Sequence, residues 1–383
     1  MKTRPSTSGR IVHCAGGYDA FVPASLPPEI AWTPKLLRVL SDADRLIGQL
    51  AGEGRRLPNP HLLMRPFVKR EAVLSSRIEG TQATLGELLA ADAGAVVDRN
   101  PEDLREVANY VLALEHGLKR LSHLPLSLRL VKEIHAKLME GVRGGIAAPG
   151  EFRRSQNWIG PAGCTLNNAS HVPPPPDELM TCLGDWEKFL HDRSMPPLAQ
   201  MAMLHYQFEA IHPFLDGNGR VGRLLITLFL VERGILPTPL LYLSAFFEAT
   251  RREYYDRLSA VTAKSAWADW LEYFFNGIAR TSDDALSRAA RINRLMDQWR
   301  QSVGRTASRT PPQLVELLAE NPYWTINKVA QRLDVAFTTA QRAVEKLESL
   351  GILNQTSGSQ RGRVFCATAI MSILDEPPKL KPE

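Results

Sequence analysis

From Pro34 to about Ile235, apolar residues return every three or four positions, and Gly or Pro interrupts the pattern at about the length of one helix. "TPKLLRVLSDADRLIGQLAG", "FVKREAVLSSRIEG" and "TLGELLAADAG" begin it. "PEDLREVANYVLALEHGLKRL", "SLRLVKEIHAKLMEGV", "DELMTCLGDWEKFLHD", "PLAQMAMLHYQFEAIH" and "VGRLLITLFLVERGI" continue it. A chain with this period buries helix stripes against one another rather than laying alternating residues on a sheet. The fold class expected is therefore all-α, built around a central helical bundle. At 383 residues the chain exceeds one ordinary core, so two or three domains are expected.

Three stretches depart from the helical period. Residues 1 to about 35 carry "GG" and "LPP" and read as an extended lead-in over the surface. "FRRSQNWIGPAGCTLNNASHVPPPP" sets turn residues around short apolar pieces before four prolines, which predicts a small β-hairpin flap. "SRAARINRLMDQWRQSVGRTASR" gathers Arg288, Arg291, Arg294, Arg300, Arg305 and Arg309 against Asp297 and reads as a solvated helix and linker. Beyond it come two helices joined by a short turn, a third helix ending at Gly351, a strand, a polar loop and another strand. That is the order of a winged helix-turn-helix. With ten Lys/Arg against eight Asp/Glu from 302 to 383, such a module suits protein contact or dimerisation as well as DNA.

Hydrophobic residues at 44% and charged residues at 23% exclude a disordered or fibrous chain. Cys14, Cys164, Cys182 and Cys366 lack paired metal spacing, and a chain of this size needs no disulfide staples, so a reducing cytoplasm is the expected location. The first residues hold no apolar targeting core, and no stretch approaches the roughly 18 apolar residues of a membrane span, so no membrane association is expected. A net charge of +5 permits phosphate or nucleic-acid binding without demonstrating it.

The densest chemistry lies in "FEAIHPFLDGNGRVGR", residues 208–223. Gly217, Asn218 and Gly219 open an apolar helix, where positive φ and free main-chain N–H groups make a phosphate cradle. Arg220 and Arg223, three apart, lie near one face of the first turn and can clamp further phosphate oxygens. Asp216 is a lone carboxylate suited to Mg²⁺ shared with phosphate oxygens, and His212 can take a proton from a hydroxyl nucleophile. Together these are the parts of nucleotidyl or phosphoryl transfer. No P-loop, dinucleotide fingerprint or His-Glu-x-x-His pair competes; His205, Glu209 and His212 share a helix face, but the first two read more simply as packing neighbours than as zinc ligands.

"HPFLDGNGRVGR" resembles the full signature of the Fic family, "NWIGPAGCTLNNASHVPPPP" resembles its flap, and "EAVLSSRIEGTQATLGELL" resembles its common N-terminal region. The resemblance implies a helical region with an inhibitory helix over 1–105, a Fic catalytic domain over 106–280, a basic helical linker over 281–304 and a winged-helix-like domain over 305–383. It implies transfer of AMP from ATP, with Mg²⁺, to Ser, Thr or Tyr hydroxyls of target proteins and of the chain itself. His212 would be the base and Asp216 the metal ligand. Gly217, Asn218 and Gly219 would form the anion turn, Arg220 and Arg223 would hold outer phosphates, and Phe214 would anchor the loop. "LYLSAFFEATRREYYDRL" resembles the base-pocket segment, with Tyr255 near the adenine, although Thr250 stands where relatives often carry Asn or His. "SSRIEG" resembles the inhibitory helix: Ser75 and Glu79 would share a face, Gly80 would end the helix, and Glu79 would pair with Arg223. A target would dock on the flap as an added strand, while a homodimer, and DNA through the C-terminal domain, are further partners of such chains. The alternatives are a DNA-binding regulator whose Fic-like core senses a nucleotide, and an enzyme that also removes AMP.

Overall fold

The computed structural model describes residues 8–56, 60–95, 97, 100–142, 148–161, 163–304, 308–356 and 363–378. Its first elements correct the expected lead-in. Strands β1 (Gly9–Cys14) and β2 (Tyr18–Pro23) form an antiparallel hairpin running from Gly9↔Pro23 to Cys14↔Tyr18, with Gly17 at φ 76 in the turn. The apolar run Ala20–Val22 explains it. These residues are buried, and the Phe21 N–H donates to the Val172 carbonyl at 2.8 Å, so the hairpin leans on the segment expected as a flap. That flap is closed by one antiparallel rung, Ile159↔His171.

The helices follow as the period predicts. Helices α1 (Pro34–Arg56), α2 (Pro60–Ile78) and α3 (Leu85–Asp92) precede α4 (Pro101–Arg120) and α5 (Leu128–Leu138). After the flap come α6 (Pro176–Leu190), α7 (Pro197–Ile211), α8 (Asn218–Glu232), α9 (Ser244–Ala249) and α10 (Arg251–Lys264). Several starts are fixed locally: Thr84 and Glu87 form a reciprocal capping box on α3, Asn100 caps α4 and Ser127 caps α5. α7 and α8 are buried almost all round, and such helices can only occupy the centre of a bundle. The 208–223 motif therefore lies between two helices that are enclosed on nearly every side.

Helix α11 (Trp267–Val303) is 37 residues long and continuous across residue 281, where the sequence reading begins a linker. It packs along α1, and its second half buries Arg288, Ile292, Met296, Trp299 and Val303. Arg288 reaches back one turn to both Asp284 oxygens, at 2.7 and 3.0 Å, and donates to the carbonyls of Ile373, Glu376 and Pro377. A stretch that reads as solvated on charge is thus half interior, because its cation finds acceptors about 85 residues downstream. Arg288→Met is expected to lower the unfolding free energy by about 1–3 kcal/mol, because it leaves the buried Asp284 carboxylate to the more distant Arg70, at 4.0 Å. Joint Arg288→Met and Asp284→Leu should recover much of the loss in denaturant titrations. A single-variant loss under about 1 kcal/mol would show the network to be marginal.

The C-terminal unit comprises α12 (Thr310–Leu318), β3 (Tyr323–Thr325), α13 (Ile326–Leu333), α14 (Phe337–Ser349), β4 (Asn354–Gln355), β5 (Val364–Cys366) and α15 (Thr368–Asp375). Its sheet runs in the order β3-β5-β4, antiparallel throughout. β3 and α15 were not foreseen, and residues 357–362 of the expected polar loop lie outside the described residues. The unit is fastened to the N-terminal helices: Asn321 donates to Leu89 O and Thr325 to Ala93 O, both at 3.1 Å. Arg65 pairs with Glu320, and buried Arg70 of α2 donates to Glu376 O. Among the described residues no helix is long and apolar enough to cross a membrane.

Candidate active site

The motif turns out of α7 through His212, whose φ 49 and ψ 61 put a non-glycine residue in the left-handed region, and enters α8 through Gly217 at φ 77. Two features hold this short loop. Phe214 is fully buried, stacked on the His135 ring at 3.7 Å between centroids with Phe152 beside it. Asn218 closes the turn from within, accepting from Phe214 N and donating to Phe214 O, both at 2.8 Å. Its side chain is thus structural, and what it offers a ligand is its main chain. At Gly217 a side chain would meet Met139 Sδ at 2.9 Å in a backbone region that disfavours L residues.

Burial is the largest influence on His212 and pushes its imidazole down to about 4, with His171 and Arg153 adding to the effect. The ring is therefore neutral at pH 7 and able to accept a proton. Asp216 faces outward with one oxygen accepting from Gly217 N at 2.6 Å. Arg220 is only 5% exposed, yet its Nε and Nη1 have no hydrogen-bond partner among the described residues. The nearest carboxylates are Glu106 at 3.6 Å and Asp216 at 3.8 Å. A buried guanidinium with idle N–H groups beside a helix N-terminus is a cation waiting for an anion.

Arg223, 2% exposed, is engaged: Nε donates to Ser75 Oγ and Nη2 to Ser75 O, both at 2.9 Å, and Nη2 meets Glu79 Oε1 at 2.6 Å. Burial works to raise the Glu79 carboxyl, but Arg223, with Arg220 and His212, outweighs it and holds the group below the usual carboxylate range. The carboxylate lies against Gly219, where an added Cβ would collide with it and with the Arg223 guanidinium. Gly80 follows at φ 102, just past the end of α2.

Two family models account for these helices: residues 37–119 match the Fic/DOC family N-terminal region and residues 125–230 the Fic/DOC family itself. The chain belongs to the Fic/DOC family. The protein adenylyltransferase Fic of Drosophila ananassae is 30% identical over 169 residues, covering 42% of this chain and 31% of that relative. The corresponding protein of Drosophila virilis is 30% identical over 164 residues, 41% and 30% of the two chains. This chain thus spans about a third of the length of the curated relatives it matches. A Fic family protein from Desulfovibrio desulfuricans shares the fold, with a TM-score of 0.60 and 21% identity over 89% of this chain and 98% of that one. Fic-1 of C. elegans aligns with a TM-score of 0.50 and 25% identity over 67% of this chain and 73% of that one.

The structure brings Ser75 and Glu79 of the N-terminal region to Gly219 and Arg223 at the start of α8 in the Fic domain, beside Arg220. Tyr255 stands at the rim, 41% exposed, its ring 5.2 Å from that of buried Tyr254. Thr250 is turned away, its hydroxyl spent on Phe246 O and the Tyr273 hydroxyl. His205 stacks among Phe247, Tyr254 and Trp270 and shares a hydrogen bond with the Tyr254 hydroxyl at 2.9 Å. Burial pushes its imidazole down to about 3.

Sequence reasoning missed several supports. His135 accepts from Gly150 N at Nδ1, which leaves Nε2–H to donate to Asp216 O at 3.1 Å. Burial raises both Glu71 and Glu209 to about 7; Glu71 accepts from Ser244 and Tyr110, while Glu209 Oε1 is enclosed without a partner among the described residues. The one available signal was an acid inside an otherwise apolar helical stripe, as in "KREAVL" and "QFEAI". Among the described residues no three His, Cys, Asp or Glu gather as a protein-only metal site. One outward carboxylate, Asp216, beside an unsatisfied guanidinium still fits a Mg²⁺ ion whose other ligands are phosphate oxygens and water.

Proposed function

We propose that this chain transfers AMP from ATP to hydroxyl side chains of proteins, itself included, and that Glu79 restrains the reaction. The observation that carries the reading is the pairing of a neutral His212 imidazole with the deeply buried, unsatisfied Arg220 at the N-terminus of α8. Main-chain N–H groups at Gly217–Gly219 and the Arg220 and Arg223 guanidiniums would bind the polyphosphate and stabilise charge on the leaving pyrophosphate. Asp216 would hold Mg²⁺, which neutralises phosphate charge when bound. His212 would take the proton of the incoming Ser, Thr or Tyr hydroxyl as its oxygen bonds to the α-phosphorus and the bond to pyrophosphate breaks. The flap offers a docking edge around Ile159, beside half-exposed Trp158, where a target could add as a strand.

The test is to incubate the purified chain with ATP labelled at the α-phosphate and a lysate, then map AMP-bearing residues by mass spectrometry. Label retained on protein with a mass of AMP is the expected result; release of labelled AMP without protein label would overturn the reading. The pH dependence is a second check. A base must be deprotonated to work, and His212 sits near 4 rather than the usual 6.5, so transfer should hold from pH 7 down to about 5 and fall only near pH 4. An acid limb centred above pH 6 would remove His212 from the role.

A further inference from the structure

Arg153, in the segment between α5 and the flap, is only 4% exposed and forms no ion pair with a carboxylate among the described residues. All its hydrogen bonds go to main-chain oxygens. Its own N–H donates to Pro213 O at 2.9 Å, Nε to His212 O at 3.0 Å and Nη2 to Ile211 O at 3.4 Å. Three successive carbonyls at the end of α7 are thereby held by one residue. Nη2 also reaches Pro174 O at 2.6 Å and Nη1 Ser155 O at 3.2 Å, which ties the base of the flap to the same point.

This spot is where the chain needs bracing. The last carbonyls of a helix lack partners within it, and here the next residue is His212 in a left-handed conformation that only a firm surround can maintain. Asn157 assists, donating from Nδ2 to His212 O at 3.3 Å and Phe214 O at 2.8 Å. The orientation of the imidazole follows from the backbone beneath it, and that backbone rests on Arg153.

We propose that Arg153 is the positioning residue of the transfer reaction: it fixes the His212 imidazole by gripping the carbonyls of Ile211, His212 and Pro213, and it locks the flap to the same anchor. The inference rests on the AMP-transfer reading. It also has an electrostatic side, because a cation without a carboxylate partner stands next to the base. The groups facing His212 are His171 of the flap, Glu79 after α2, the Glu209 carbonyl of α7 and Arg153 itself; His171 and Arg153 favour the neutral imidazole, Glu79 and the Glu209 carbonyl the charged one. Arg153 thus aims His212 and, behind burial and His171, adds to the preference for its neutral form.

The experiment compares Arg153→Met and Arg153→Lys in the full chain carrying Glu79→Gly. For Arg153→Met, kcat should fall about 10²-fold, the usual consequence of a misplaced reacting group. KM for ATP should stay within about threefold, because the phosphate-binding groups are untouched. The His212 titration followed by NMR should move to higher pH. Arg153→Lys keeps the charge without the fork and should lie between, with kcat down about tenfold. A folded Arg153→Met with kcat within about threefold of its parent, a KM rise at constant kcat, or an unmoved His212 titration would each overturn the proposal. Should Arg153→Met not fold, Arg153→Lys decides by the same criteria. If the parent transfers no AMP at all, the functional reading fails, whereas the NMR titration still tests whether Arg153 governs His212.

Discussion

His212→Ala is expected to yield a folded protein that still binds ATP but transfers AMP about 10²- to 10⁴-fold more slowly, the span usual for loss of a general base. Folding should survive because the loop around it is held by other groups: Phe214 in its stack, Asn218 across the turn and Arg153 on the carbonyls. Nucleotide binding should survive because the cradle and both arginines lie on α8. No neighbour can substitute. The His171 Nε2 is committed to Ala210 O at 2.9 Å, both His135 nitrogens are spent on Gly150 N and Asp216 O, and the Glu209 carboxyl is walled in against Gly222. Single-turnover transfer of labelled AMP, beside calorimetric titration with ATP, separates chemistry from binding. A folded His212→Ala protein with near-normal transfer would end the mechanism proposed above.

The parts of this molecule legible in its sequence are those set by local period and local chemistry. Apolar spacing located the helices because each stripe is written within one segment, and the Gly and Pro breaks fell near their ends. The loop of 212–223 was legible because its groups are neighbours in sequence as well as in space. What escaped depends on acceptors far along the chain. Arg288 reads as one more solvated cation until Ile373 and Glu376 arrive beside it, and Arg153 reads the same way because its partners are carbonyls, which every residue carries. The β1–β2 hairpin escapes because "GG" reads as a break in an extended lead-in, whereas it is the turn that lets Phe21 reach Val172. The fastening of the C-terminal unit to α2 and α3 was equally invisible, since Asn321 and Thr325 again use main-chain oxygens.

Glu79→Gly is expected to raise AMP transfer above wild type by about 10- to 10³-fold. Its carboxylate now occupies the space in front of α8, against Gly219 and 2.6 Å from Arg223. An anion arriving at that helix N-terminus must share or displace it, and two like charges on one site disfavour each other. Arg223 would not drift once freed, because Ser75 still holds it through both its hydroxyl and its carbonyl. The pair joins a buried guanidinium to a carboxylate that is 38% exposed, so on its own it is worth somewhat more than the roughly 1 kcal/mol of a surface pair. The larger gain comes from geometry: a terminal phosphate kept off Arg223 leaves the α-phosphate out of line with His212, and restored alignment can return about 10²-fold in rate. The substitution should lower stability, since it takes a carboxylate from the buried Arg223, which keeps Ser75 as a partner, and places a second flexible residue before Gly80. Arg223→Ala breaks the same ion pair but removes the phosphate contact with it, so it should not share the gain; a rise in both variants would mean that the loosened helix, not the vacated phosphate position, is what activates. Glu79→Gln is the sharper variant, because it keeps the shape and loses the charge, and its transfer rate should fall between wild type and Glu79→Gly. If Glu79→Gly is folded, binds ATP and transfers AMP to itself and to lysate proteins no faster than wild type, Glu79 is a structural partner of Arg223 and not a brake.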